Sequence, residues 1–148
     1  MPSTHVSLHY HLVFSTKQRV PSIDAAFRSR LHAYLGGVVR GLGGTPLEIG
    51  GVADHVHLLV GLKPTHTLSD IIRVIKSDSS KWIHDEIRQN RFAWQEGYGA
   101  FTVSRSNVDV VRTYIAQQEE HHRQRSFQEE YLEFLQKHEI EFDERYLW

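Results

Sequence analysis

Alternation of apolar and polar residues opens the chain. In VSLHYHLVF (6–14), Val6, Leu8, Tyr10 and Leu12 share one face and Ser7, His9, His11 and Val13 the other, the pattern of a half-buried strand. After Pro21, Phe27, Leu31, Leu35, Val38 and Leu42 recur at helical spacing until GLGG interrupts them, which predicts a first helix with a glycine stop. Two short apolar segments, 45–49 and 55–62, are joined through Gly50-Gly51 and Ala53-Asp54 and read as a hairpin of strands two and three. A second helix is predicted from Leu68, Ile71, Ile72, Ile75 and Trp82, with Thr67-Leu68-Ser69-Asp70 as a capping box carrying Asp in place of Glu. Phe101 and Val103, beyond the glycines at 97 and 99, alternate as a fourth strand. Ser106-Asn107 then caps a third helix with Val108, Val111 and Ile115 inward, expected to run to about Arg123. Ser126-Phe127-Gln128-Glu129 is a second capping box, opening a terminal helix with Phe127, Tyr131, Phe134 and Leu135 inward.

The order βαββαβ followed by two helices predicts an α+β fold: a ferredoxin-like (RRM-like) antiparallel sheet with helices on one face, plus C-terminal helices. Its first and third strands occupy the middle. Segments 63–67 and 88–99 read as loops, and no repeat or low-complexity stretch divides the chain. With 148 residues, 40% of them hydrophobic, one domain spanning 1–148 is expected. The chain has no cysteine, which excludes disulfides and thiolate metal sites. The N-terminal segment lacks the basic and apolar regions of a signal peptide, and no 18-residue apolar run occurs. A soluble cytoplasmic protein with no membrane partner is the expectation.

A net charge of -1 argues against a protein that coats DNA nonspecifically, so any nucleic-acid contact must be local. The average conceals an asymmetry. Lys17, Arg19, Arg28, Arg30, Arg40, Arg73, Lys76 and Lys81 lie in the first part, whereas Glu129, Glu130, Glu133, Glu139, Glu141, Asp143 and Glu144 crowd the end.

The chemistry concentrates in ADHVHLLVG (53–61). His55 and His57 are i and i+2 on a strand, so both imidazoles project from one face and can converge on a point. By itself this fits either a metal-ligand pair or two histidines that each hydrogen-bond a neighbour. On the third helix Tyr114 and Gln118 are i and i+4, about one turn apart on the same side, a spacing equally common in ordinary helices. His9 and His11 share a face of the neighbouring central strand, and His121 and His122 extend the helix beyond Gln118; none of these four is expected as a metal ligand.

The blocks YHLVFSTKQR (10–19), GGVADHVHLLV (50–60), IKSDSSKWIH (75–84), FAWQEGYGAFTVS (92–104) and YIAQQEEHH (114–122) together resemble the single-tyrosine HUH transposases of insertion sequences, including the REP-associated tyrosine transposases. The resemblance implies a metal-dependent transposase acting on single-stranded DNA with hairpin ends. It assigns His55, His57 and Gln118 as ligands of a divalent ion, Mg²⁺ or Mn²⁺, and Tyr114 as the nucleophile that forms a 5′-phosphotyrosine. Imidazole would also accept zinc or nickel. A homodimer is implied as well. Lys17, Arg19, Lys76, Lys81, Arg105 and Arg112 are the candidate DNA-binding cations, with Trp82, Trp94 and Tyr98 interspersed as stacking surfaces, although Trp82 falls on its helix's apolar stripe. The alternative is a domesticated, RRM-like nucleic-acid-binding module without cleavage activity. Against it, no basic-Gly-aromatic run lies on a central strand. Histidine-triad hydrolases need a further histidine where this chain has Leu59.

Overall fold

In the computed structural model, which describes residues 3–143, 145 and 147, four strands form one sheet: β1 (His9–Ser15), β2 (Thr45–Gly51), β3 (His55–Gly61) and β4 (Gly99–Val103). Their spatial order is β2-β3-β1-β4, and every neighbouring pair is antiparallel. The first and third strands are therefore central, as the element order predicts. In β3 every residue but the last is buried, which explains a nearly continuous apolar run interrupted only by histidines.

Pleating sorts the side chains onto two different faces. Toward α1 (Ala25–Gly41) and α2 (Leu68–Trp82) the sheet presents Leu12, Phe14, Val56, Leu58 and Val60, which pack with Phe27, Leu31, Leu35, Ile71, Ile72 and Ile75. Each fully buried side chain of this kind contributes roughly 1.5–3 kcal/mol. The opposite face is covered by α3 (Val108–Ala116), α4 (Gln118–His121) and α5 (Phe127–Lys137). Here Val13 and Phe101 meet Phe127 and Leu135, and Leu59 and Val103 meet Val108 and Ile115. Between those two apolar patches lie the histidines.

Three local features depart from the sequence pattern: the side-chain caps expected at Thr67 and at Asn107 are not formed, and the third helix is broken. Thr67 precedes α2 without a side-chain cap; Asp70 remains in the first turn, where its charge still complements the helix dipole. The Ser126 box, by contrast, closes in both directions between Ser126 and Glu129. The third predicted helix does not run unbroken to Arg123, because Gln117 leaves helical geometry (φ −106, ψ 27) and divides it into α3 and α4. The fourth strand is reached through a loop pinned to the α2 layer: the Trp94 indole donates to Ser79 Oγ at 2.9 Å, and Thr16 and Trp94 form an isolated bridge. Among the described residues no helix is long and apolar enough to cross a membrane.

Gly50 of β2 fixes how closely α3 approaches the sheet. A Cβ there would lie 2.3 Å from the Ile115 carbonyl oxygen and 3.0 Å from Ile115 Cγ2, so the end of α3 sits against bare backbone. Gly50 also pairs with His57, which ties this contact to the histidine strand. Gly50→Ala is expected to push Ile115 outward and lower the unfolding free energy by about 1–3 kcal/mol, measured by urea denaturation.

A candidate metal centre beside Tyr114

The inner face of β3 places two imidazoles where no water reaches them: His55 and His57 are each 0% exposed. Each ring has its Nδ1 engaged and its Nε2 directed at a common centre. His55 Nδ1 donates to Asp54 Oδ1 at 2.7 Å, while His57 Nδ1 lies 2.7 Å from His11 Nε2 on β1. At the centre, His55 Nε2 is 3.1 Å from Gln118 Oε1, and His57 Nε2 is 2.9 Å from Glu130 Oε1.

Two members of this cluster come from the C-terminal segment. Glu130, on α5, is 3% exposed; its Oε1 is also 3.5 Å from His55 Nε2, and its Oε2 accepts from Tyr114 OH and from the Gln118 amide at 3.3 Å. His122 donates Nδ1–H to the Arg125 carbonyl at 2.8 Å, leaving Nε2 3.0 Å from Gln118 Oε1 and 3.3 Å from Glu130 Oε2. One chain thus supplies Tyr114, Gln118 and the histidines around a single point. Sequence reasoning misses Glu130 and sets His122 aside. A signal for Glu130 exists: the apolar stripe 127, 131, 134, 135 has its i+3 position at 130, and a carboxylate there is aimed inward.

The charges in this cluster hold one another. Burial by itself would push the Glu130 carboxyl up, but hydrogen bonds from His122, His55 and His57 outweigh it and hold the group well below the ordinary carboxylate range. His55 is likewise opposed by burial, yet its contacts with Asp54 and Glu130 raise it to about 8. His57, fully buried, is lowered to about 4 by desolvation despite Glu130, so it is neutral at neutral pH. Tyr114 is raised above the ordinary phenol value by burial and then by the Glu130 carboxylate, so its hydroxyl stays protonated in this arrangement.

The donor set fits a divalent ion. One ligand atom each from His55, His57, His122 and Glu130 all lie within 4.8 Å of one another, and the Gln118 carboxamide oxygen adjoins them. Ligating histidines characteristically have their second ring nitrogen hydrogen-bonded, as the Asp54, His11 and Arg125 contacts provide here. Three imidazoles with oxygen donors and no thiolate suit first-row transition ions and are compatible with Mn²⁺.

The candidate DNA-binding cations are dispersed. Lys17 and Arg19 form a 3₁₀ turn after β1; Lys81 is exposed near the end of α2, in the layer opposite Tyr114. Arg105 is exposed before α3, and the exposed Arg112 donates twice to the Leu47 carbonyl. Lys76 is half-buried. Its ammonium donates to the carbonyls of Gln95, Glu96 and Gly97 at 2.8, 3.3 and 2.6 Å, so its three hydrogens hold the loop before β4, and burial lowers its pKa to about 8. Trp82 stacks on Tyr34 with ring centroids 5.0 Å apart, and Trp94 is core.

The model of the "Transposase IS200 like" family matches residues 4–118. The chain is 28% identical over 125 residues to the transposase for insertion sequence element IS200 of Salmonella typhimurium, covering 78% of this chain and 79% of that one. It is 23% identical over 117 residues to the ISDra2 transposase TnpA of Deinococcus radiodurans, covering 75% and 84%. Among solved structures, a putative transposase from Deinococcus radiodurans superposes with a TM-score of 0.63 at 23% identity, over 80% of this chain and 95% of that one. A REP-associated tyrosine transposase bound to a REP hairpin superposes at 0.58 with 12% identity, over 79% and 70%.

Removing the carboxylate takes a counter-charge from the buried His55 ring and a hydrogen-bond acceptor from His57. Glu130→Ala is expected to destabilise the metal-free protein by about 3 kcal/mol, read by urea denaturation with a chelator present. Because the folded carboxyl is held low, its contribution is present above the unfolded value and lost below it. The gap between wild type and variant should narrow as pH falls below about 4.3.

Proposed function

The chain belongs to the IS200-like transposase family, and from this we propose that it cleaves and rejoins single-stranded DNA at hairpin-bearing ends, with Tyr114 as nucleophile and His55, His57 and Gln118 holding a divalent ion, Mg²⁺ or Mn²⁺. The observation that carries the reading is a single convergence. The Tyr114 hydroxyl, which donates to Glu130, and the Gln118 carboxamide lie on one short stretch of chain, and the inward nitrogens of His55 and His57 are 2.9–3.5 Å from the oxygens of Gln118 and Glu130.

In this reading the Tyr114 oxygen attacks the scissile phosphorus, the P–O3′ bond breaks, and the strand is left as a 5′-phosphotyrosine and a free 3′-OH. The ester conserves the energy of the broken bond, so a second 3′-OH can displace the tyrosine and rejoin strands without a nucleotide cofactor. A bound divalent ion supplies charge neutralisation at the phosphate and polarises it. The protein's share is placement. Tyr114 is held half-buried among aromatic rings, with the Phe134 centroid 5.8 Å and the His57 centroid 5.9 Å away, so its oxygen is oriented before substrate arrives.

For the strand itself, we infer contacts from Lys17, Arg19, Arg105 and Arg112, with Lys81 reaching DNA only away from the scissile bond. The solved relative described as bound to a REP hairpin supports hairpin DNA as the substrate class. A homodimer completes the proposal, and light scattering of the purified protein tests it.

Incubation with end-labelled single-stranded hairpin DNA and Mn²⁺ or Mg²⁺ is expected to yield a covalent protein–DNA adduct on denaturing gels. Tyr114→Phe should abolish the adduct while retaining DNA binding; persistence of the adduct would reassign the nucleophile, and absence from wild type would favour the binding module. Mn²⁺ at about 100-fold above its Kd should raise the wild-type Tm by about 5–10 °C. The shift should vanish in the His55→Ala, His57→Ala double variant.

A further inference from the structure

His57 has two polar partners of opposite chemical kind, and they impose a constraint on its protons. The Glu130 carboxylate can only accept, so at 2.9 Å the hydrogen between them sits on His57 Nε2. A neutral ring then has a bare Nδ1, and the 2.7 Å contact requires His11 Nε2–H to donate to it. If His57 holds a metal through Nε2, as the proposed function requires, that nitrogen carries no hydrogen and the ring's proton must be on Nδ1. The same contact then needs an acceptor where His11 had been a donor.

An imidazole is able to be both. We propose that His11 is a positioning residue for His57, which keeps one N–N hydrogen bond in the metal-free and metal-bound protein by exchanging the donor and acceptor ends. In the exchange a proton leaves His57 Nε2, the proton on His11 Nε2 passes to His57 Nδ1, and His11 takes up a proton at Nδ1. Both rings stay neutral, and the pair gains and loses one proton each.

The surroundings of His11 fit this role. It lies diagonally from His57 across the β1–β3 ladder, two residue pairs along, since His11 pairs with Leu59 and Val13 with His57, on the same face of the sheet. The ring is 3% exposed, lies 5.0 Å from the His57 ring at an interplanar angle of 29°, and is braced edge-on by Phe134 at 5.1 Å. It also borders a cavity of about 260 Å³ shared with Val110, Tyr114 and Lys137. The partner of His55 makes the contrast: the Asp54 carboxylate only accepts, so the His55 Nδ1–H is fixed in either state.

This inference rests on His57 being a ligand, and one experiment separates the two. Two-bond ¹H–¹⁵N spectra of histidine-labelled protein distinguish the neutral tautomers. Without metal, His11 and His57 should both be Nε2–H; with Zn²⁺, chosen because it is diamagnetic, both should become Nδ1–H. If His57 does not change on metal addition, the ligand assignment fails; if His57 changes and His11 does not, or if either metal-free tautomer is otherwise, the exchange is overturned. His11→Leu should weaken Zn²⁺ binding about 10–100-fold, whereas His11→Gln, whose amide can turn to donate or accept, should restore it to within about 3-fold of wild type. Equal affinity for Zn²⁺ in wild type and His11→Leu would also overturn it, and the wild-type spectra decide the matter should the leucine variant fail to fold.

Discussion

Two imidazoles with no access to solvent at the centre of a sheet impose a strict requirement, because an unsatisfied buried polar group costs about 1–3 kcal/mol and a buried charge far more. Every other element on that face answers it. Asp54 and His11 take one nitrogen of each ring, and Gln118 and Glu130 meet the other. The helices α3 to α5 are therefore located by polar contacts as well as by their apolar patches. The side chain of α5 that reaches deepest into the cluster is a carboxylate, not a hydrocarbon.

The division of labour between the two faces makes this arrangement affordable. Leu12, Phe14, Val56, Leu58 and Val60 bury one face against α1 and α2 without a polar interruption from the sheet, so much of the hydrophobic stabilisation does not involve the histidine face at all. On the other face the apolar contacts split into two smaller clusters on either side of the imidazoles. Polar chemistry then occupies the gap, and Gly50 lets the end of α3 descend far enough for Tyr114 and Gln118 to reach it.

The strands, helices and sheet order were legible in the sequence because period-two and period-3.6 patterns report which face each residue turns inward, and inner faces are set by burial alone. His55 and His57 were legible for the same reason, and the quoted blocks added Tyr114 and Gln118. Glu130 was not, because an acidic residue on an amphipathic helix normally marks the solvent side; only its place within the stripe of Phe127, Tyr131 and Phe134 distinguishes it. The break at Gln117 was hidden because no glycine or proline marks it, and the loop contacts of Lys76 were hidden because a cation ordered by three loop carbonyls has the same sequence signature as one left in water. Contacts between distant segments decide such cases, and no local pattern encodes them.

The family match ends at Gln118, so the donor atoms divide into two groups of different charge. Under the proposed assignment His55, His57 and Gln118 would be neutral ligands, and a divalent ion held by them alone would keep its full charge. His122 and Glu130 lie beyond the matched span, and Glu130 adds the one anionic donor of the cluster. An anionic ligand raises affinity for a dication through direct charge neutralisation and at the same time lowers the positive charge that the ion can offer to a phosphate. The C-terminal helix would thus trade Lewis acidity for retention of the ion. It would also hold the Tyr114 hydroxyl through the other oxygen of the same carboxylate, so ion affinity and nucleophile position in this chain would depend on a single side chain.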